Sequence, residues 1–523
     1  MVQLTPEQQA IVNHTKGPAL VFAVAGAGKT TAMVHRIERL VREQHFPAQS
    51  ILATSFSRAT VDDIKRSLSP WPHCKRVFTS TLHAIGYRIL RRAQQKGLLA
   101  FTQSPDTNPE KLSEILIFRT LKSAREQGLV DKTELRNLDR DDFLNYISTC
   151  KGNLRYACLK SANLPLAAQA LASQASAPEN LPWYLTLYQE FERLRIQLQG
   201  YTFDDMLLQG WELLTRHPTL LEHFQSQFQC VMVDEFQDVN LVQSELLDLL
   251  IRPHNNYMVI GDDDQTIYEW RGARPHYILS FAERYNAQKY FIHDNFRCKA
   301  AQLVLANQII VHNTQREPKT LQLTRGFDGH TFVHEYDDAA DMGHQIVHEI
   351  QTALRRGFAK KDISILVRLY AQTPYIEHPL IEAQIPYRIV GSQPFYQRPE
   401  VRVLLNYLML AQWNQRLAQQ HPLHPNELPA LSHAWKQIYN RPLRYISAEL
   451  AEKILQDVCL HQITFNQALQ RHAQDLRSWQ RKGLKSLGEI LLWLTSHFLP
   501  PSSEPKISAH STKPQGDLFS EGA

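Results

Sequence analysis

Residues Ala23–Thr31 read AVAGAGKTT. They close a short β-branched and apolar run, Ala19–Val24, and open a stretch with helical patterning, Thr31–Glu43. A strand that ends in a loop of small residues and continues as a helix lets backbone N–H groups close around phosphate oxygens at a helix N-terminus. Lys29 can then reach the β- and γ-phosphates, Thr30 offers a hydroxyl to magnesium, and Gly26 and Gly28 supply the bend. Ala23 stands where the general pattern has its first glycine. Read alone, the string therefore leaves open a plain Gly/Ala strand-to-helix turn.

Working outward, similar runs at Ser50–Phe56, Cys230–Val233 and Tyr257–Ile260 are each followed by a loop and an amphipathic stretch. This pattern predicts a parallel sheet covered by helices on both faces. A second group, at Lys289–His293, Thr331–Tyr336 and Ile363–Arg368, predicts another α/β core. Between the second and third strands of the first core lies a long helical segment, with an Ala-rich, Pro-flanked stretch near Leu164–Pro182. It reads as an insertion.

Two polar strings follow predicted strands. VMVDEFQDVN at Val231–Asn240 ends an apolar strand in adjacent carboxylates, at the sheet edge where ligands bind in such folds. Asp234 is placed to hold magnesium, and Glu235 to accept a proton from an attacking water. A solvated acidic turn is the alternative for this string in isolation. MVIGDDDQTIYEWRGA at Met258–Ala273 again sets polar groups just past a strand, with Gln265 as a γ-phosphate sensor and a surface loop as the alternative.

The chain has 523 residues, 43% hydrophobic and 21% charged, and a net charge of +5. Such a length calls for several domains, and the composition is that of a folded chain rather than a disordered one. The charge surplus is too slight to act as a global field, so any nucleic-acid contact must come from local patches. The six cysteines are scattered without a paired spacing that would suggest zinc, an iron–sulfur cluster or a redox pair. No basic stretch with an apolar run opens the chain and no apolar segment has membrane length, so a cytoplasmic location without a membrane partner is expected.

The ordered set LTPEQQ (Leu4–Gln9), AVAGAGKTT, TSFSRAT (Thr54–Thr60), TLHA (Thr81–Ala84), TFDDML (Thr202–Leu207), DEFQD, GDDDQTIYEWRGA, DNFR (Asp294–Arg297) and IPYRIVGSQPFYQRPEV (Ile385–Val401) resembles superfamily 1 DNA helicases of the UvrD/Rep/PcrA type. The resemblance covers roughly residues 4–410. It implies a RecA-like, parallel-sheet core with a phosphate loop and a helical insertion, plus a second RecA-like core and a helical C-terminal segment. The ligands implied are ATP and Mg2+, and the partners single-stranded and 3′-tailed duplex DNA.

The same resemblance assigns roles. Ala23, Ala25, Gly26, Ala27, Gly28, Lys29, Thr30 and Thr31 would form the nucleotide loop, with Thr30 and Asp234 holding the metal. Gln8 would read the adenine edge, and Phe296, where tyrosine is usual, would stack on the base. Arg297 would reach the γ-phosphate from the second core, and Arg271 would couple Gln265 to it. Catalysis would fall to Lys29, Asp234, Glu235, Gln265 and Arg297. DNA would meet Phe56, Ser57, Arg58, Thr81, His83, Tyr268 and Trp270, with Trp270 and Phe56 stacking on bases; core packing is the alternative for Trp270. Arg88, Arg91, Arg92 and Lys96 suit either duplex phosphates or an ordinary solvated helix face.

The expected layout is a first core at 1–85 and 200–286, a helical insertion at 86–199, an incomplete second core at 287–410, a helical remnant at 411–498 and a loose tail at 499–523. Relatives continue with a TxHxxKGLE-type motif and an arginine motif. Here only ISAHSTKPQGDLF (Ile507–Phe519) answers: Ser508, His510 and Lys513 fit its start, and Pro514 stands in place of glycine. The reading is therefore of a fragment, a frameshifted product or a reduced relative, with chance as the alternative for this short match. Two functions follow: a 3′ to 5′ ATP-dependent helicase or translocase in repair or replication, completed in trans by a protein partner or the missing C-terminal part, or an ATP-binding single-strand-binding protein with impaired hydrolysis.

Overall fold

In the computed structural model, residues 3–99, 109–474 and 476–498 are described. The expected tail at 499–523, with the ISAHSTKPQGDLF string, lies outside them. The chain divides into two compact units, Met1–Phe332 and Val333–Ala523.

Six strands of the first unit form one wholly parallel sheet: β1 (Ala19–Ala23), β2 (Ile51–Ser55), β3 (Phe78–Thr81), β6 (Cys230–Asp234), β7 (Tyr257–Gly261) and β8 (Gln288–Ile292), in the order β3-β2-β6-β7-β1-β8. Every residue of β1, β2, β6 and β7 is buried. Alternation then divides the side chains between two cores. Leu20, Phe22, Val231, Val233, Tyr257 and Val259 face one, while Val21, Met232, Met258 and Ile260 face the other with Ala32, Met33 and Ile37 of the helix Lys29–Arg42. This explains why the strands read as continuous apolar runs. Both faces are covered, so neither face needs polar residues.

The strand expected at Lys289–His293 is present as β8, but it pairs with β1 and closes the edge of the first sheet rather than opening a second. A strand's sequence specifies that it is extended, not which sheet it joins. Two short parallel pairs complete the strands among the described residues: β4 (Arg155–Tyr156) with β5 (Ser173–Gln174), and β9 (Asp294–Asn295) with β10 (Gln322–Leu323).

The insertion also starts later than expected. The helix Leu82–Gln95 belongs to the sheet's core, with Leu82, Ile85, Ile89 and Leu90 in the same apolar cluster as Leu207, Trp211 and Leu246. It crosses the helix Phe203–Arg216 so closely that a Cβ on Gly86 would lie 2.4 Å from the Met206 carbonyl oxygen. The described part of the insertion builds its own core from Leu116, Phe143, Ile147, Tyr184, Leu187 and Phe191.

In the second unit, the helices Ala339–Arg355 and Thr373–Glu382 share a small cluster of Val347, Ile350, Ile376 and Leu380. The stretches Thr331–Tyr336 and Ile363–Arg368 were expected as strands and are assigned none. Val333 and Leu366 stand almost fully exposed, at 93% and 94%. Strand-forming residues need a neighbouring strand to take up their backbone hydrogen bonds, and no sheet exists here among the described residues. The helices from Pro399 onward pack around Trp413, Trp435, Ile454 and Phe465.

Candidate active site at the carboxyl edge of the sheet

β1 runs into the loop Val24–Gly28, whose Gly26 and Gly28 take left-handed φ values of 70° and 75°. Each also permits a close approach. A Cβ on Gly26 would lie 2.6 Å from Arg297 Cβ, and one on Gly28 would lie 2.8 Å from Gln8 Nε2. Gly28 caps the helix Lys29–Arg42, so Lys29, Thr30 and Thr31 occupy its first turn, where N–H groups lack intrahelical acceptors.

β6 brings its carboxylates to the same edge. Thr30 Oγ1 donates to Asp234 Oδ2 at 3.2 Å, and Lys29 Nζ pairs with Glu235 Oε2 at 3.3 Å. Glu235 itself adopts φ 54°, a left-handed conformation, and its N–H donates to Asp234 Oδ1 at 3.0 Å. The Thr30 hydroxyl and the Asp234 carboxylate are hard oxygen donors side by side, a set that suits Mg2+, which binds through few protein ligands and keeps several waters.

Burial pushes the Asp234 carboxyl up to about 6, and the neighbouring Glu235 adds to the shift while Lys29 opposes it. Burial likewise lifts Asp238 to about 6. A carboxyl whose pKa is raised by folding stabilises the fold while protonated, and that contribution is lost as pH climbs from about 4 through about 6. Asp234→Asn is therefore expected to raise the stability of the nucleotide-free protein at neutral pH by about 3 kcal/mol. Denaturant midpoints measured across this pH window should fall less steeply in the variant than in wild type; equal slopes would refute the assignment.

Gln237 connects the two acidic strings. Its Nε2 donates to Glu235 Oε2 at 2.8 Å, and its Oε1 accepts from the Asp262 N–H at 3.1 Å. Gln265 donates to Asp262 Oδ2. The β8–β9 turn then lays DNFR across the phosphate loop: Phe296 N–H donates to the Gly26 carbonyl at 3.0 Å, and the buried Asn295 donates to the Ala25 carbonyl at 2.6 Å. Sequence reading passed over Asn295 and Gln237, although both sit inside quoted motifs. Arg297, expected to come from the second core, follows in the same turn, and its N–H donates to Asn295 Oδ1 at 3.0 Å.

The remaining expected residues fall into two places. Gln8 is buried and donates to the Ala27 carbonyl at 3.0 Å, and Phe296 presents an exposed ring. Along the carboxyl ends of β2 and β3, Ser57 and Thr81 cap helices by accepting from Thr60 and Ala84 N–H groups, and Arg58 is exposed. Phe56 packs on Tyr268 at 4.7 Å between centroids, and Trp270, half exposed, carries the Arg271 guanidinium over its ring at 4.6 Å. Arg271 thus contacts the Tyr268 and Trp270 rings. His83 lies edge-on to Phe203, its pKa lowered first by burial. Trp270 is not core: it is 52% exposed, and its carbonyl accepts from Thr149 Oγ1 at 3.0 Å.

Residues 4–286 match the UvrD/REP helicase N-terminal domain, and residues 290–477 the UvrD-like helicase C-terminal domain. The chain belongs to the UvrD/REP helicase family. It is 31% identical over 456 residues to the ATP-dependent DNA helicase PcrA of Staphylococcus epidermidis, covering 86% of this chain and 57% of that protein. A PcrA of Staphylococcus aureus is 30% identical over 413 residues, covering 78% and 53% respectively. The chain thus spans little more than half the length of these curated relatives. As a UvrD/REP family member it carries a parallel-sheet core with the phosphate loop and both acidic strings at one edge. Among the described residues, no helix is long and apolar enough to cross a membrane.

Proposed function

We propose that this chain is an ATP-driven DNA motor that moves 3′ to 5′ along a single strand, on single-stranded or 3′-tailed duplex DNA, in repair or replication. The observation that supports this best is the convergence of Lys29, Thr30, Asp234 and Glu235 with the DNFR turn on one loop. First-turn N–H groups and Lys29 bind the phosphates, Thr30 and Asp234 hold Mg2+, and Gln265 faces the γ-phosphate. Bound Mg2+ supplies charge neutralisation on the phosphates. Glu235 orients the attacking water and takes its proton. Phe56, Tyr268 and Trp270 offer stacking faces, each worth about 1–3 kcal/mol per base without sequence preference.

A second reading, an ATP-gated single-strand-binding protein with impaired hydrolysis, is favoured by one observation: the second unit carries no sheet among its described residues. DNA-stimulated phosphate release from the intact chain separates the two. Release well above that of Lys29→Ala supports the motor, and release equal to it leaves only the binding protein.

A further inference from the structure

The acidic run Asp262–Asp264 is buried or half-buried, yet it is not left as a bare anionic cluster. Lys319, whose side chain is 1% exposed, places Nζ 3.0 Å from Asp262 Oδ1, 2.5 Å from Asp263 Oδ1 and 2.8 Å from Asp264 Oδ2. An ammonium has three protons, and each here faces a different carboxylate. Arg316 adds a bidentate pair to Asp264 at 2.9 and 2.7 Å, and Glu317 N–H donates to Asp263. Burial opposes the charge on Lys319, but the three carboxylates outweigh it and raise its pKa.

What matters is where the clamp leads. Asp262 accepts from Gln265 and donates its N–H to Gln237, which holds Glu235, which pairs with Lys29. Three residues beyond Lys319 the same segment forms β10, paired with β9, whose Asn295 grips the phosphate loop. One stretch of chain therefore touches both the acidic strap and the strand whose Asn295 grips the loop.

We infer that Lys319, supported by Arg316, is a positioning residue: it fixes Asp262 and through it holds Gln265 and the Gln237–Glu235 relay in their working geometry. The inference rests on the proposed ATPase reading for its activity consequence, though the positioning itself is testable without turnover. Loss of the cation would leave Asp262 and Asp263 without their shared partner, and their repulsion loosens the hold of Asp262 on Gln265.

Because Lys319→Met alone risks unfolding, the test uses Lys319→Met/Asp263→Asn, which removes one charge of each sign, beside Lys319→Arg. In the intact nucleotide-free chain, amide hydrogen exchange should quicken at 235–238 and 262–267 in the double variant while Tyr257–Gly261 stays protected. ADP affinity should hold within about threefold, the preference for ATPγS over ADP should disappear, and kcat should fall at least about tenfold with KM little changed. Lys319→Arg should recover part of each. Unaltered exchange at both segments, or an unaltered ATPγS preference, would overturn the inference. Should wild type neither hydrolyse ATP nor prefer ATPγS, the proposed function fails, and the exchange result still decides the role of Lys319.

Discussion

Glu235→Gln is expected to slow DNA-stimulated ATP hydrolysis about 10²- to 10⁴-fold, the range associated with loss of a positioned general base. The effect should lie in kcat, because the residues that face the phosphates, Lys29 and the first turn of its helix, are untouched. Glutamine can keep the contact from Gln237 Nε2 that Glu235 Oε2 receives at 2.8 Å, so the local fold should persist. It cannot take a proton. In the nucleotide-free protein Lys29 is paired with Glu235 at 3.3 Å. Removing that negative charge frees the lysine for phosphate, so affinity for a fluorescent ATP analogue should be unchanged or tighter. Turnover within threefold of wild type would remove Glu235 from the chemistry and leave it a structural partner of Lys29.

Lys151→Met is expected to cost about 3–5 kcal/mol of stability, the range for breaking a buried ion pair from one side. Lys151 Nζ, completely buried, lies 2.7 Å from Asp205 Oδ1 and 2.7 Å from Glu192 Oε1. Asp205 belongs to the TFDDML helix of the core and Glu192 to the insertion, so this ammonium joins the two. Arg195 remains near Asp205 at 3.4 Å and places the loss toward the lower end of the range. Adding Asp205→Asn should return part of it, since the stranded charge goes too. Denaturant midpoints of the two variants decide the matter, and a single variant as stable as wild type would refute the account.

The sequence made the edge of the sheet legible because each motif there is local. A strand, a turn and a helix N-terminus are encoded in one short string, so Lys29 and Thr30 could be placed from AVAGAGKTT, and Asp234 from the strand that precedes it. What stayed hidden was pairing over distance. Nothing in the string REPK at Arg316–Lys319 shows that its cations bury themselves among Asp262, Asp263 and Asp264. The same holds for Gly86, whose missing side chain is explained only by the Met206 carbonyl on another helix. Arg271 shows a subtler limit: only the family resemblance linked it to Gln265, and nothing in the string shows that its guanidinium rests over the Trp270 ring. Thr331–Tyr336 and Ile363–Arg368 have the composition of strands, but composition cannot supply a neighbour to pair with.

The strand β8 also has a meaning for handling the protein. It covers the flank of β1, whose five residues all pair with Gln288–Ile292. A fragment ending at residue 286, where the motifs alone suggest a boundary, would strip that cover and leave a fully apolar strand with an open row of amide and carbonyl groups, the template from which chains associate edge to edge. It would also lift Asn295 off the phosphate loop. A dissected first unit that keeps its solubility and its nucleotide pocket together must carry the chain through Phe332.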